Sequence, residues 1–294
     1  MNLQTLEELR AELHKNSGVG FLLPIAEHIY RAHEAISQSE IKLMAKATPK
    51  HLQYQRRFPR PSSDAQKLGT AAHLAILQPL LFEDNYLKAK KSDKRTKEGR
   101  SEWAEVKAQA EKLGKKILDE KEYSSALEMR QSVRSDPEMN RLLEHGVAER
   151  ACFGYLHGLS VKALLDFYKP KTHEIVDIKS TKCAEPSVFE KDVRKYRYHW
   201  QACWYSDLIK EITGEAPTFK ILAIESHPPF CSAIYEIDFD LMSIARKEIM
   251  EKIDIYKRCL DSGVWPGYSN AVQKISANKW EWDKFKDGIK DGAA

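Results

Sequence analysis

The chain has 294 residues, 42% of them hydrophobic, 31% charged and 10% aromatic. That composition supports a sizeable core and excludes disordered, collagen-like and fibrous classes. A formal charge of +4, from 47 basic and 43 acidic residues, is too mild to prescribe a nucleic-acid partner by itself. No run of about 18 apolar residues offers a membrane span.

The start, MNLQTLEELRAEL, is amphipathic and lacks a signal-peptide apolar stretch, so the expected compartment is the cytoplasm. Cys152, Cys183, Cys203, Cys231 and Cys259 are dispersed, with no CxxC pair. That spacing argues against a zinc ribbon, an iron–sulfur cluster and a disulfide framework.

Leu3, Leu6, Leu9 and Leu13 predict a first helix. Ser37 and Glu40 have capping-box spacing ahead of Ile41, Leu43 and Met44, so a second helix starts there and breaks at Thr48-Pro49. Phe58 to Ser63 reads as a loop, and Ala65 to Leu77 as an apolar helix ended by Pro79. Lys88 to Arg100 is basic and polar, a loop leading into a helix. Glu102 to Leu118 and Ser124 to Ser135 read as charged helices joined by a short turn.

Near Val147 the period changes. Val147–Tyr155, Leu159–Tyr168 and Glu174–Lys179 predict three strands in an antiparallel meander. Phe189 to Ile212 reads as one long aromatic helix. Two apolar β-runs follow (Thr218–Glu225 and Cys231–Phe239), then an amphipathic helix over Met242–Cys259 and an irregular tail after Trp265. The order predicts an α+β or mixed α/β sheet domain behind a helical N-terminal region.

The chemistry concentrates between Leu164 and Lys179. Asp177 and Lys179 are two apart and share one face of a strand. Asp166 sits near the end of the preceding strand and can lie beside Asp177 across the pair. Two carboxylates so close repel unless a cation joins them, and Mg²⁺ takes oxygen ligands of this kind. A lysine on the same face can position a water and stabilise phosphoryl charge. Asp177 also stands in the apolar run Ile175-Val176-Asp177-Ile178, where a carboxylate needs a partner. An exposed hairpin with a salt bridge would give the same letters.

The segment Val176-Asp-Ile-Lys-Ser-Thr181 resembles the core of the PD-(D/E)XK nuclease superfamily. Three further stretches are similar to RecE-type exonucleases: Ile36 to Tyr54, Gly69-Thr-Ala-Ala-His73 through Pro79, and Tyr196-Arg-Tyr-His-Trp-Gln201 through Asp207. The resemblance runs from about residue 36 to about 268. It implies a restriction-endonuclease-like core, a central mixed sheet flanked by helices. It divides the chain into an N-terminal helical extension (1–35), an exonuclease domain (36–268) and a C-terminal tail (269–294).

By that resemblance Asp166, Asp177, His73 and the Ile178 carbonyl would hold Mg²⁺ or Mn²⁺, and Lys179 would be the catalytic lysine. Glu149 matches the acid on the preceding strand. Gln201 and Tyr205, one turn apart, match helix residues that face the site. Family members carry a basic residue and proline just before the first aspartate. Leu164-Leu165 stand there in this chain, a change expected to alter packing or a phosphate contact and to spare activity.

The implied activity is 5′-to-3′ degradation of double-stranded DNA from its ends, leaving 3′ single-stranded tails for recombination. A single-strand annealing protein and a ring-like homo-oligomer of a bacterial or phage-encoded enzyme come with it. Lys88, Lys90, Lys91, Lys94, Arg95, Arg194 and Lys195 become candidate phosphate contacts. The aromatics around Tyr196 and Tyr198 read as packing. An endonuclease or single-strand nuclease on the same core, and an inactive DNA-binding module, are the competing readings.

Overall fold

The computed structural model describes residues 3–59, 64–89 and 95–291, without the side chains of 64–66 and 287–291. The described residues begin with α1 (Leu6–Lys15), β1 (Gly20–Leu23), α2 (Glu27–Ala32), β2 (Ile36–Ser37), α3 (Gln38–Lys46) and α4 (Pro49–Arg57). Next come α5 (Asp64–Leu77), α6 (Pro79–Asn85), β3 (Tyr86–Ala89), α7 (Lys97–Leu113), β4 (Lys116–Asp119), α8 (Glu120–Ser135) and α9 (Pro137–Leu142). The meander is β5 (Val147–Leu156), β6 (Leu159–Lys169) and β7 (Glu174–Thr181). The chain ends with α10 (Pro186–Lys195), α11 (Tyr198–Thr213), β8 (Thr218–Glu225), β9 (Ser232–Glu236), α12 (Phe239–Ser262) and α13 (Lys279–Asp291).

The main sheet has the order β1-β5-β6-β7-β8-β9, with the short β2 alongside β6. The β5–β6–β7 meander is antiparallel, β8 is parallel to β7 and β9 is antiparallel to β8. The parallel step needs a crossover, which α10 and α11 supply. Helices cover both faces. On one, α3, α10, α11 and α12 bury Ile41, Phe189, Trp204, Leu208 and Ile253 against Leu165, Ile175 and Ile221. On the other, α5, α8 and α9 bury Ala72, Ile76, Met129 and Leu142 against Phe167, Val176, Ile178 and Leu222. A mixed sheet between two helical layers is the expected architecture.

The local signals explain most boundaries. Glu40 accepts from the Ser37 N–H at 2.8 Å, closing the start of α3 as its spacing predicts. Pro49 opens α4 at its first position, where its missing N–H is harmless.

Four expectations are corrected. The single helix over Phe189–Ile212 is two helices, broken at Tyr196-Arg197, where Arg197 takes a left-handed backbone with φ 53°. The residues after Leu113 leave the helix through Gly114 (φ 65°) and form β4, which pairs with β3 in a separate parallel ribbon. Lys88 therefore lies on a strand. The tail regains helical form in α13. The first 35 residues contribute more than helix, because β1 pairs with β5 and Leu9, Leu13 and Ile29 pack on Ala151 and Phe153. Arg60–Ser63 of the expected loop lie outside the described residues.

Candidate active site

The site forms where the meander comes apart. β6 and β7 pair from Lys169↔Glu174 up to Phe167↔Val176, and the ladder stops there. The next positions are Asp166 and Asp177. Toward its start β6 pairs with β2 instead, at Val161 and Lys162. The Ile178 N–H left by the divergence is satisfied by a side chain: Asp166 Oδ2 accepts it at 2.8 Å.

A matching irregularity marks β5. The register pairs Ala148 with Phe167 and Arg150 with Leu165, which sets Glu149 opposite Asp166 with no ladder bond between them. Glu149 has φ 50°, the left-handed region that a β-strand residue rarely enters. Sidedness slips at the same point. Ala163, Leu165 and Tyr168 pack toward α11, whereas Phe167 packs toward α5. Strict alternation would put Phe167 with Leu165. Backbone strain of this sort is concentrated at functional sites.

Both helical layers reach the split. From one side α5 brings His73, whose Nδ1 lies 3.6 Å from Asp166 Oδ2. Its approach depends on small residues. A Cβ on Gly69 would meet Ser180 Oγ at 3.1 Å, and Ala71, Ala72 and Ala75 are fully buried. From the other side α11 brings Gln201, whose Nε2 donates to Asp177 Oδ1 at 2.6 Å. Tyr205, one turn on, is buried and lines a cavity of about 640 Å³ together with Asp166, Leu164, Gln38 and Lys162.

His73, Glu149 and Asp166 offer one nitrogen and two carboxylate oxygens, all within 4.8 Å of one another. That donor set fits a hard divalent cation with room for water ligands. Asp177 stands just outside the group, its Oδ1 held by Gln201 and its Oδ2 2.5 Å from Lys179 Nζ. Ile178 enters through its N–H. All the acids, the histidine, the lysine, Gln201 and Tyr205 named from sequence thus converge on one place.

The electrostatics follow from burial. Desolvation, then the charge of Asp166, pushes the Glu149 carboxyl up to about 8. Desolvation, opposed by Lys179 and reinforced by Asp166, raises Asp177 to about 6. Burial alone would lower Lys179, but the Asp177 and Asp166 carboxylates outweigh it and hold the ammonium above its ordinary value. Carboxyls crowded and buried in this way resist ionisation, and a bound divalent cation would relieve that resistance.

The candidate phosphate contacts scatter. Lys88 pairs with Glu120 at 3.1 Å on the small ribbon, and Arg194 pairs with Glu190 at 2.7 Å on the outer face of α10. Arg95 precedes α7, with its carbonyl accepting from Arg100 at 3.2 Å. Lys90, Lys91 and Lys94 lie outside the described residues. Lys195 alone of the described set reaches the neighbourhood of the site, through Tyr196. Leu165 is buried in the core and Leu164 lines the cavity beside Asp166.

Sequence reading missed Lys42 and took Tyr198 for packing. The ammonium groups of Lys42 and Lys179 lie 5.9 and 5.2 Å from the Tyr198 ring centroid. Spacing alone had no way to signal Lys42, since its helix is distant in the chain.

This split-sheet arrangement of acids and a lysine defines a PD-(D/E)XK-type nuclease domain. The chain belongs to the family described as a PDDEXK-like domain of unknown function (DUF3799), which matches residues 33–278. A solved structure from Eubacterium rectale, named as a candidate exonuclease, shares the fold with a TM-score of 0.60. It is 16% identical, and the alignment covers 85% of this chain and 92% of that one. A second, named SSO0001, aligns over 89% of this chain and 96% of its own at 10% identity, with a TM-score of only 0.34. No curated protein matches the sequence.

Proposed function

We propose that this protein is a Mg²⁺- or Mn²⁺-dependent exonuclease of the RecE type, degrading double-stranded DNA from 5′ ends and leaving 3′ single-stranded tails for recombination. The observation that carries the reading is the juxtaposition of the His73–Glu149–Asp166 donor set with the Lys179–Asp177–Gln201 chain. The name of the fold neighbour supports exonuclease action over other chemistries of the same core. Action as a ring-like oligomer beside a single-strand annealing protein belongs to the same proposal, as does a cytoplasmic location.

His73, Glu149 and Asp166 would hold the divalent ion, with Asp177 and the Ile178 carbonyl at its edge. Such an ion, when bound, neutralises phosphate charge and makes a coordinated water more acidic. Asp177 keeps Lys179 protonated and aimed into the site. The Lys179 ammonium then orients the attacking water by hydrogen bonding and stabilises the extra negative charge on the phosphoryl oxygens. Gln201 fixes the Asp177 carboxylate, and so acts on Lys179 indirectly. The cavity beside Asp166 and Tyr205 leaves room for the strand end.

Linear duplex DNA labelled at one 5′ or one 3′ end tests this, with intact circles as control. Release from 5′ ends with Mg²⁺ or Mn²⁺, absent in EDTA, on circles and in Lys179→Ala, is expected. Cutting of circles would replace the exonuclease by an endonuclease. No hydrolysis with either ion would leave a DNA-binding module.

A further inference from the structure

Beside Lys179 a row of aromatic rings runs out to the surface. Tyr235 stacks on Phe189 at 4.7 Å, Phe189 on Tyr198 at 6.1 Å, and Tyr198 on Tyr196 at 5.7 Å, with interplanar angles of 22°, 30° and 29°. Phe189 is buried, whereas Tyr196 ends the row 39% exposed. Three lysines outside the catalytic set gather on its outer end. Lys42 lies over Tyr198 at 5.9 Å, and Lys46 and Lys195 lie over Tyr196 at 5.8 and 5.1 Å. Lys42 also donates to the Tyr196 carbonyl at 3.4 Å.

Among the described residues none of these three lysines has a carboxylate at ion-pair distance, unlike Arg194, Lys88 and Lys220. Cations assembled this closely repel one another. Burial, and then the charge of Lys179, push Lys42 down to about 7, so that an anion alongside it would draw it to the ammonium form. A row of unpaired ammonium groups ending beside the catalytic lysine is stabilised by an anion that spans it. A polyanionic strand does so, and the half-exposed Tyr196 ring at the end of the stack comes within reach of a base once Lys46 and Lys195 turn from it to the phosphates. Bases within a duplex are already stacked, so the feature favours an unpaired strand.

We propose that Lys42, Lys46, Lys195 and Tyr196 form a ledge that binds single-stranded DNA contiguous with the phosphate at the metal site. The proposal rests on the nuclease reading for the position of that phosphate. The lysines bind backbone phosphates, and Tyr196 stacks on one base. The break between α10 and α11 at Arg197 creates the ledge, because it turns Tyr196 and Tyr198 into one stack beside α3.

The test is fluorescence anisotropy of a labelled oligo-dT strand, in EDTA so that nothing is cut, across a salt series. Lys46→Gln, Lys195→Gln and Tyr196→Leu are compared with Lys210→Gln, an exposed control at the far end of α11. Each ledge lysine variant is expected to weaken binding about 3- to 10-fold and lower the log–log salt slope by about 0.7, the counter-ion share of one phosphate contact on a single strand. Tyr196→Leu is expected to weaken binding at least about 5-fold with the slope unchanged, since a stacked base releases no counter-ion. Ledge variants that bind like Lys210→Gln, with the wild-type slope, would overturn the ledge even if the wild type cuts DNA with Mg²⁺. Slope losses confined to the ledge variants, in a protein that hydrolyses nothing, would sustain strand binding and remove the nuclease reading.

Discussion

Glu149 makes the metal-free protein sensitive to pH. A carboxyl held at about 8 when folded, against about 4.3 when unfolded, binds an extra proton in the native state. Its contribution to stability is full below the unfolded value and is lost as pH rises toward the folded one. Asp177, raised to about 6, acts in the same direction over the lower part of that window. Without divalent ions the melting temperature should therefore fall between pH 5 and pH 7, less steeply in Glu149→Gln; above pH 7 Lys42, lowered to about 7 by burial, works in the opposite sense. Mn²⁺ should restore stability at pH 8 in the wild type and fail to do so in the variant. Parallel melting curves for the two proteins would show that Glu149 carries neither effect. Gln201 acts one contact further out, through a 2.6 Å bond to a carboxylate that is almost wholly buried.

At the scale of elements, α5 owes its place to what it lacks. Ala at Gly69 gains about 1 kcal/mol of helix propensity and needs Ser180 to yield a few tenths of an ångström, so Gly69→Ala should be near neutral. Gly69→Val adds branched bulk against β7 and should lift His73 away from Asp166. Its expected signature is at least tenfold weaker Mn²⁺ binding by calorimetry with the helix content intact; unchanged binding would sever Gly69 from the site. The break at Arg197 gives a second comparison. A left-handed residue with a Cβ costs about 1 kcal/mol that glycine avoids, so Arg197→Gly should be more stable than Arg197→Ala by about that amount in urea unfolding. Both variants lose the guanidinium over Trp200, which cancels in the difference.

At the scale of the molecule, the site exists because a single sheet is clamped by two helical layers and opened at one point between them. The meander was legible in the sequence, because alternation survives along Val147–Tyr155, Leu159–Tyr168 and Glu174–Lys179 and each period of two needs only neighbouring residues. The family's letters placed His73, Asp166, Asp177, Lys179 and Gln201 in one site before any contact was known, since each sits in a short motif whose residue types are unusual for their local setting. A carboxylate in an apolar strand and a Gly-Thr-Ala-Ala-His run are signals of that kind. Composition likewise set the class as globular with a large core. What the sequence could not decide were the features made by distant packing. β3 and β4 are four-residue strands whose pairing is separated by the whole of α7, so no local pattern announces them. The slip at Glu149 and Asp166 is a property of two paired strands, and it decides that Glu149 joins His73 and Asp166 while Asp177 turns to Lys179 and Gln201. The lysine ledge is of the same kind, for Lys42 meets Tyr196 only across 154 residues of chain, and only after the helices have docked on the same face of the sheet. Local periodicity is written in each segment, whereas the close approach of like and unlike charges is settled by which faces the core forces together.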